Sequence, residues 1–253
     1  MRSYLEYINH LGRLQKKSAH RPLQAGFTIT EVLLASLMMV IVISVAGIGV
    51  TNLLRSNYRA NAGTEIQNNL NRTLEFVSDE VRRARIIADS ETAITSTQVP
   101  TGARAVLAFQ IPDPNNPGQA PLNEQIVYYT KGPENSLTGP RVLWRYGPDL
   151  DANGNYNINS WQHSPVTDRL ADATNNLERF NCDPFQTDIE IPTGWKRIPA
   201  VRGEVEGFYV CVRDGGNQVI LNANAEVNLT TGDTDKDKVK YSVSTRVSPR
   251  AAD

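Results

Sequence analysis

A chain of 253 residues has room for one sizeable domain and an accessory segment. Its formal net charge of −1 hides an asymmetry: residues 1–26 carry Arg2, Arg13, Lys16, Lys17 and Arg21 against Glu6 alone, while the remainder holds 21 basic and 26 acidic side chains. A mildly acidic body excludes a nucleic-acid-binding domain, which would be basic, and a basic head before an apolar run is the pattern of an exported or membrane-anchored protein.

Residues 1–26 read as a leader. From Val32 to Val50 run 19 residues without a charge, close to the roughly 20 that span about 30 Å of hydrocarbon. The excess of Lys and Arg in the head orients such a span with its N-terminus in the cytoplasm. An ordinary secretory signal has an apolar core of about 7–15 residues that ends in small residues, and Ser44 and Ala46 would serve as its cleavage site. The run here is longer, 26 residues precede it, and Glu31 stands at its border. A carboxylate at the edge of a membrane span is costly unless something pairs with it.

The residues Gly26-Phe27-Thr28-Ile29-Thr30-Glu31 resemble the prepilin peptidase site of type IV pilins and pseudopilins. The resemblance implies cleavage between Gly26 and Phe27, N-methylation of Phe27, and an assembly role for Glu31 as the fifth mature residue. That role is to pair with the α-amino group of Phe27, on the same or a neighbouring subunit. Thr30 departs from the aliphatic residue more usual in the family, without touching the cleavage or charge positions. The implied partners are prepilin peptidase, other pilins or pseudopilins and an inner-membrane assembly platform, with membrane lipid around the span and no nucleic acid. The precursor would cross the inner membrane once, and the mature domain would lie in the periplasm or in an extracellular filament. Thr28-Ile29-Thr30-Glu31 also fits a helix capping box, and a first-turn carboxylate suits the helix dipole; the two roles are compatible.

This divides the chain into a leader (1–26), a transmembrane helix half (27–52) and a globular domain (53–253). Helical periodicity continues past the span, because Ile66, Leu70, Leu74, Val77, Val81 and Ala84 repeat at steps of three and four. Arg72, Glu75, Asp79, Glu80, Arg82 and Arg83 fall on the remaining surface. With no proline between Leu23 and Val99, one helix from about Thr28 to Ile87 is expected, with Gly47, Gly49 and Gly63 as its weak points. The stretch NNLNRTLEFVSDEVRRARII (68–87) resembles the larger minor pilins and the J-type pseudopilins.

Past Ser90 six short runs alternate with turn residues: AVLAFQI (105–111), QIVYYTK (125–131), RVLWRYG (141–147), VEGFYVCVR (205–213), VILNANAEV (219–227) and VKYSVSTRV (239–247). They read as antiparallel strands, giving an α+β class in which a long N-terminal helix, half membrane-spanning and half amphipathic, packs on an antiparallel sheet. The pilin-like arrangement is what the resemblance adds. The insert from Asp149 to Pro199 lacks clear periodicity and contains Trp161, Phe180, Phe185 and Trp195. Irregular stretches of that length are usually functional or mobile.

Within the insert, DLDANGNYNINS (149–160) carries Asp149, Asp151 and Asn153 at positions 1, 3 and 5 of a calcium loop, Gly154 at 6, Asn155 at 7 and Asn157 at 9. Ser160 replaces the bidentate glutamate at 12. Calcium is the cofactor this stretch would hold; an Asx-rich turn explains the same residues. GDTDKDK (232–238) reads as a solvated hairpin loop. Cys182 and Cys211 lie in the exported part, where an even count favours a disulfide and two buried thiols are the alternative. No nucleophile, P-loop or zinc motif is present, and His163, beside Trp161 and Pro165, reads as a loop residue, so the chain is not expected to be an enzyme.

The expected function is therefore structural: a minor pilin or pseudopilin of a type IV pilus or a type II-like secretion pseudopilus. WRYGPDLDANGNY (144–156) is loosely similar to pseudopilins of hormogonium polysaccharide secretion, which points to polysaccharide secretion or motility. A membrane-anchored module that binds polysaccharide or a surface through its aromatic-rich insert is the alternative.

Overall fold

The computed structural model describes residues 26–116, 118–173, 182, 191–229 and 238–250, and the chain divides into two units between Leu54 and Arg55. One helix, α1 (Ile29–Arg83), belongs to both. It passes through Gly47, Gly49 and Gly63 without a break. It stops four residues short of the expected end, because the backbone of Arg85 and Ala88 is taken up by the sheet: their N–H groups donate to the carbonyls of Gln110 and Ala108 at 2.8 and 2.9 Å. Ile86 and Ile87 form a two-residue strand instead of a last helical turn.

In the second unit the strands are β1 (Ile86–Ile87), β2 (Arg104–Gln110), β3 (Ile126–Lys131), β4 (Arg141–Leu150), β5 (Tyr156–Leu170), β6 (Trp195–Ile198), β7 (Phe208–Arg213), β8 (Val219–Asn228) and β9 (Lys238–Val247). The six expected strands appear as β2, β3, β4, β7, β8 and β9. All described pairings are antiparallel, in the order β1-β2-β3-β4-β5-β8-β7-β6, with β9 on the other side of β8.

The sheet is two meanders joined at one narrow seam, where β5 meets β8 only at Leu170 opposite Ala225. Gly207 fills that seam. Its N–H donates to Ala171 O at 2.7 Å, and its carbonyl accepts from Asn224 N at 2.6 Å. A Cβ there would come within 2.4 Å of Ala171 N and 2.5 Å of Asn224 O, so no side chain fits.

The helical stripe read from the sequence is the core. Ile66, Leu70, Leu74, Val77, Val81 and Ala84 are all buried, packed with Leu107, Phe109, Tyr128, Leu143, Phe208 and Val210 from the sheet. β7 is buried on both faces, which is why it reads as a continuous apolar run rather than an alternation. Phe208, Val210 and Val212 join the helix-side core, while Tyr209 and Cys211 pack with Cys182, Val205 and Ile220 in a second cluster. A third cluster joins Ala88, Ala108 and Val127.

Two elements lay inside the irregular insert. β5 is 15 residues long, polar and only half-buried along most of its length, with Pro165 inside it, so neither composition nor burial marks it as a strand. β6 is four residues long and paired only with β7 among the described strands. His163 is accordingly a strand residue, opposite Tyr146.

Candidate functional site

Gly26, Phe27 and Thr28 precede the helix in non-helical backbone. Phe27 is 85% exposed, and a Cβ built at Gly26 meets nothing within 4 Å. Among the described residues, nothing covers the Gly26–Phe27 bond. The helix start is closed by reciprocal hydrogen bonds. Thr28 N and Thr28 Oγ1 both donate to Glu31 Oε2 at 3.0 Å, and Glu31 N donates back to Thr28 O at 3.0 Å and to Thr28 Oγ1 at 3.3 Å. The capping box is formed. The backbone N–H and the hydroxyl of Thr28 converge on one carboxylate oxygen, and Glu31 Oε1 accepts no bond among the described residues.

Beyond this turn every residue of the first unit's helix is exposed, including Leu33, Met39, Ile43 and Ile48. The two hydroxyls within the uncharged run bond back to the helix: Ser36 Oγ to Leu33 O at 2.8 Å and Ser44 Oγ to Val40 O at 2.7 Å. No polar group in the run depends on water. The helix is long and apolar enough to cross a membrane. Residues 1–25 of the leader lie outside the described residues.

The Asp149–Asn155 stretch forms the β4–β5 hairpin, and its oxygens are turned to protein donors. Asp151 Oδ1 accepts the N–H groups of Asn153 and Asn155, both at 2.8 Å, and Asp151 Oδ2 accepts Asn155 Nδ2. The Asn155 N–H first among these bonds holds the Asp151 carboxyl below its usual range. Asp149 instead bonds across the strands to Ser160 and Gln162. The Gly154 carbonyl accepts the Arg83 guanidinium at 2.5 Å, a cation already seated on the loop. The bonds to Asp151 are those of an Asx turn. Among the described residues no group of three His, Cys, Asp or Glu side chains is placed to hold a metal.

Cys182 and Cys211 form a disulfide with Cα atoms 5.3 Å apart. Of the insert's aromatics, Trp161 lies against Tyr146, whereas Trp195 packs in the Cys211 cluster beneath Arg246. Phe180 and Phe185 lie outside the described residues, as does GDTDKDK up to Lys238, which opens β9.

One group escaped the sequence reading. Glu80 is 3% exposed rather than on the helix surface. Arg145 clasps it from β4 and Tyr128 donates to it from β3. The available signal was Arg145 itself, alternating with Leu143 on the helix-facing side of an otherwise apolar strand.

Comparison with protein-family models, with curated proteins and with solved structures finds no match to this chain.

Proposed function

We propose that the chain is a membrane-anchored filament subunit of the type IV pilin and pseudopilin class, a minor pilin or pseudopilin that enters a type IV pilus or a secretion pseudopilus. The observation that carries this reading is one juxtaposition. The uncovered Gly26–Phe27 bond stands directly before a capped helix start that holds Glu31, and 19 uncharged, unburied residues follow.

Cleavage of that bond by a prepilin peptidase on the cytoplasmic side leaves the α-amino group of Phe27 near the depth of Glu31. An unpaired ion in lipid costs several kcal/mol. Pairing the amine of one subunit with the carboxylate of the next therefore sets the register of neighbouring helices. Glu31 can do this without giving up its cap, because Oε2 serves Thr28 while Oε1 is unengaged among the described residues. The amphipathic half of α1 and the sheet then stand on the outer side of the inner membrane, in a compartment that suits the Cys182–Cys211 disulfide. The loose likeness to polysaccharide-secretion pseudopilins makes such a system, or pilus motility, the expected machine.

Intact-mass measurement of the membrane-extracted protein tests the reading. The expected species lacks residues 1–26 and carries added methyl mass on Phe27. A terminus near Gly47 would overturn it in favour of an ordinary signal peptide.

A further inference from the structure

We propose that the outer edge of β9 is a docking site for an extended, acidic segment of another protein, which joins the sheet as a further strand. This does not rest on the filament reading.

Among the described strands the sheet ends at β1, β6 and β9. β1 is two residues long and β6 four, too short to template a partner. β9 is ten residues long, and every residue from Lys238 to Val247 is paired with β8 in one unbroken register. In an antiparallel ladder, alternate residues turn their N–H and C=O groups away from the neighbouring strand. The far side of β9 therefore offers a row of donors and acceptors that no other described strand takes up. Short length, proline and a bulge are usual guards of such an edge, and β9 has none of them. Its one guard is positive charge, which repels a like edge and attracts an opposite one.

The open backbone selects an extended chain, and the side chains narrow its sequence. Val239, Tyr241, Val243 and Val247 pack with the helix-side core, yet the first three stay half-buried, with no described strand flanking them. The even-numbered residues lie on the opposite face. There Ser244 Oγ donates to Asn222 Oδ1 at 2.6 Å, and the Arg246 guanidinium lies over Trp195. On that face β9 brings Lys238, Lys240 and Arg246, and β8 sets Glu226 alone against them, 2.9 Å from Lys238. A strand that fits thus alternates apolar residues on the α1 side with acidic residues on the other.

A second copy of β9 does not meet this requirement. Opposite residues of an antiparallel pair share a face, so two copies would meet about a two-fold axis through one residue. Centred on Val243, Lys240 falls opposite Arg246; centred on Ser242, Lys238 falls opposite Arg246. Like charges directly opposite destabilise a strand pair.

Fluorescence anisotropy of labelled decapeptides, added to the full-length chain in detergent, tests the site. The probe is EVEVTVEVEV, compared with its counterpart bearing Lys at each Glu, with the same peptide N-methylated at every residue, and with KVKYSVSTRV, the sequence of β9 itself. The acidic peptide is expected to bind, the lysine counterpart and the β9 peptide about tenfold or more weakly, and the N-methylated peptide not at all, since it has no amide to donate. Lys240→Glu combined with Arg246→Glu is expected to reverse the preference between the acidic and lysine peptides. If that variant loses its native circular dichroism, Ser242→Glu, at an exposed position, takes its place and is expected to weaken the acidic peptide about threefold. Hydrogen exchange in the complex is expected to show new protection at alternate amides of β9 and none at β6. The proposal is overturned if the acidic peptide does not bind, if any of the other three binds as tightly, if the folded variant binds as the parent does, or if the new protection falls outside β9. Equal binding of the N-methylated peptide would mean attraction by charge alone, and equal binding of the β9 peptide would mean a second copy of this chain.

Discussion

Arg145 grips Glu80 through two parallel hydrogen bonds, Nε to Oε2 and Nη2 to Oε1, both 2.8 Å. Both residues are at most 4% exposed. Gly147, two residues on along β4, makes room for the guanidinium, since a Cβ there would lie 2.7 Å from its central carbon. Breaking a buried pair strands one charge, which costs about 3–5 kcal/mol, whereas replacing both partners by apolar groups can be neutral. Glu80→Leu is therefore expected to destabilise the domain by about that amount, and Glu80→Leu with Arg145→Met by less than the single change. Urea titration followed by tryptophan fluorescence measures both, and a double variant no more stable than the single would refute the assignment.

Four tyrosines predict an alkaline limit. Burial first, then the Glu80 charge, pushes the Tyr128 and Tyr156 hydroxyls well up, and burial pushes Tyr129 and Tyr209 up to about 12. A folded-state pKa raised above the unfolded value of about 10 leaves stability intact below pH ~10 and removes it as pH climbs beyond. Tyrosinate absorbance recorded against pH is expected to show a late step that coincides with loss of the native fluorescence. A single ordinary titration of all tyrosines, complete while the fold persists, would count against it.

Gly207 predicts a different kind of failure. With Ala171 N and Asn224 O at 2.4 and 2.5 Å from its missing Cβ, Gly207→Ala must force the two meanders apart. Backbone displacement of this kind costs roughly 1–3 kcal/mol or more. Hydrogen exchange localises it: the amides of Ala171 and Asn224, which close the seam, are expected to lose protection before those of β2 and β3. Uniform loss across the sheet would mean that the seam is not a separate weak point.

The Cys182–Cys211 bond closes a loop with a sequence separation of 29. Chain entropy assigns such a crosslink about 3–4 kcal/mol. Labelling of the denatured, unreduced chain is expected to find no free thiol, and reduction is expected to lower the urea midpoint by a corresponding amount. An unchanged midpoint would mean that the reduced loop is held equally well by the Tyr209, Val205 and Ile220 cluster around it.

Where periodicity and burial coincide, the fold was legible. Leu70, Leu74, Val77 and Val81 announce a helix face, and β2, β3, β7, β8 and β9 are β-branched and aromatic runs that announce strands. Legibility fails where tertiary contacts overrule local pattern. Ile86 and Ile87 have helical surroundings, yet the β2 edge claims their backbone. Glu80 looks like one more surface charge until Arg145, 65 residues later, is placed over it. β5 hides because a strand half-exposed on its own hairpin needs no apolar run. Asp149 and Asp151 have calcium-loop spacing, but a hairpin turn selects the same residues, so spacing alone does not separate the two. The proposed roles of Gly26, Phe27 and Glu31 rest on their order along the chain, which the sequence alone supplies. The Glu80–Arg145–Tyr128 group was not readable there, because it draws on a helix and two strands that only the fold brings together.

Glu31 carries the sharpest test of the filament reading, because its cap and its pairing can be separated. The cap needs only an acceptor for Thr28 N and Oγ1, and Gln supplies one, as it does in other capping boxes. Glu31→Gln is therefore expected to insert normally, to be cleaved after Gly26 and to accumulate as a mature monomer in the membrane. The charge is what the substitution removes. A neighbouring subunit's amine would then be left unpaired near the membrane surface, at a penalty of several kcal/mol, enough to reduce recruitment by orders of magnitude at about 1.4 kcal/mol per tenfold. Site-directed crosslinking of mature subunits to other pilins, at matched expression, is expected to collapse in the variant. Undiminished crosslinking with normal pilus or secretion activity would reduce Glu31 to its cap and remove the electrostatic basis for helix register proposed here.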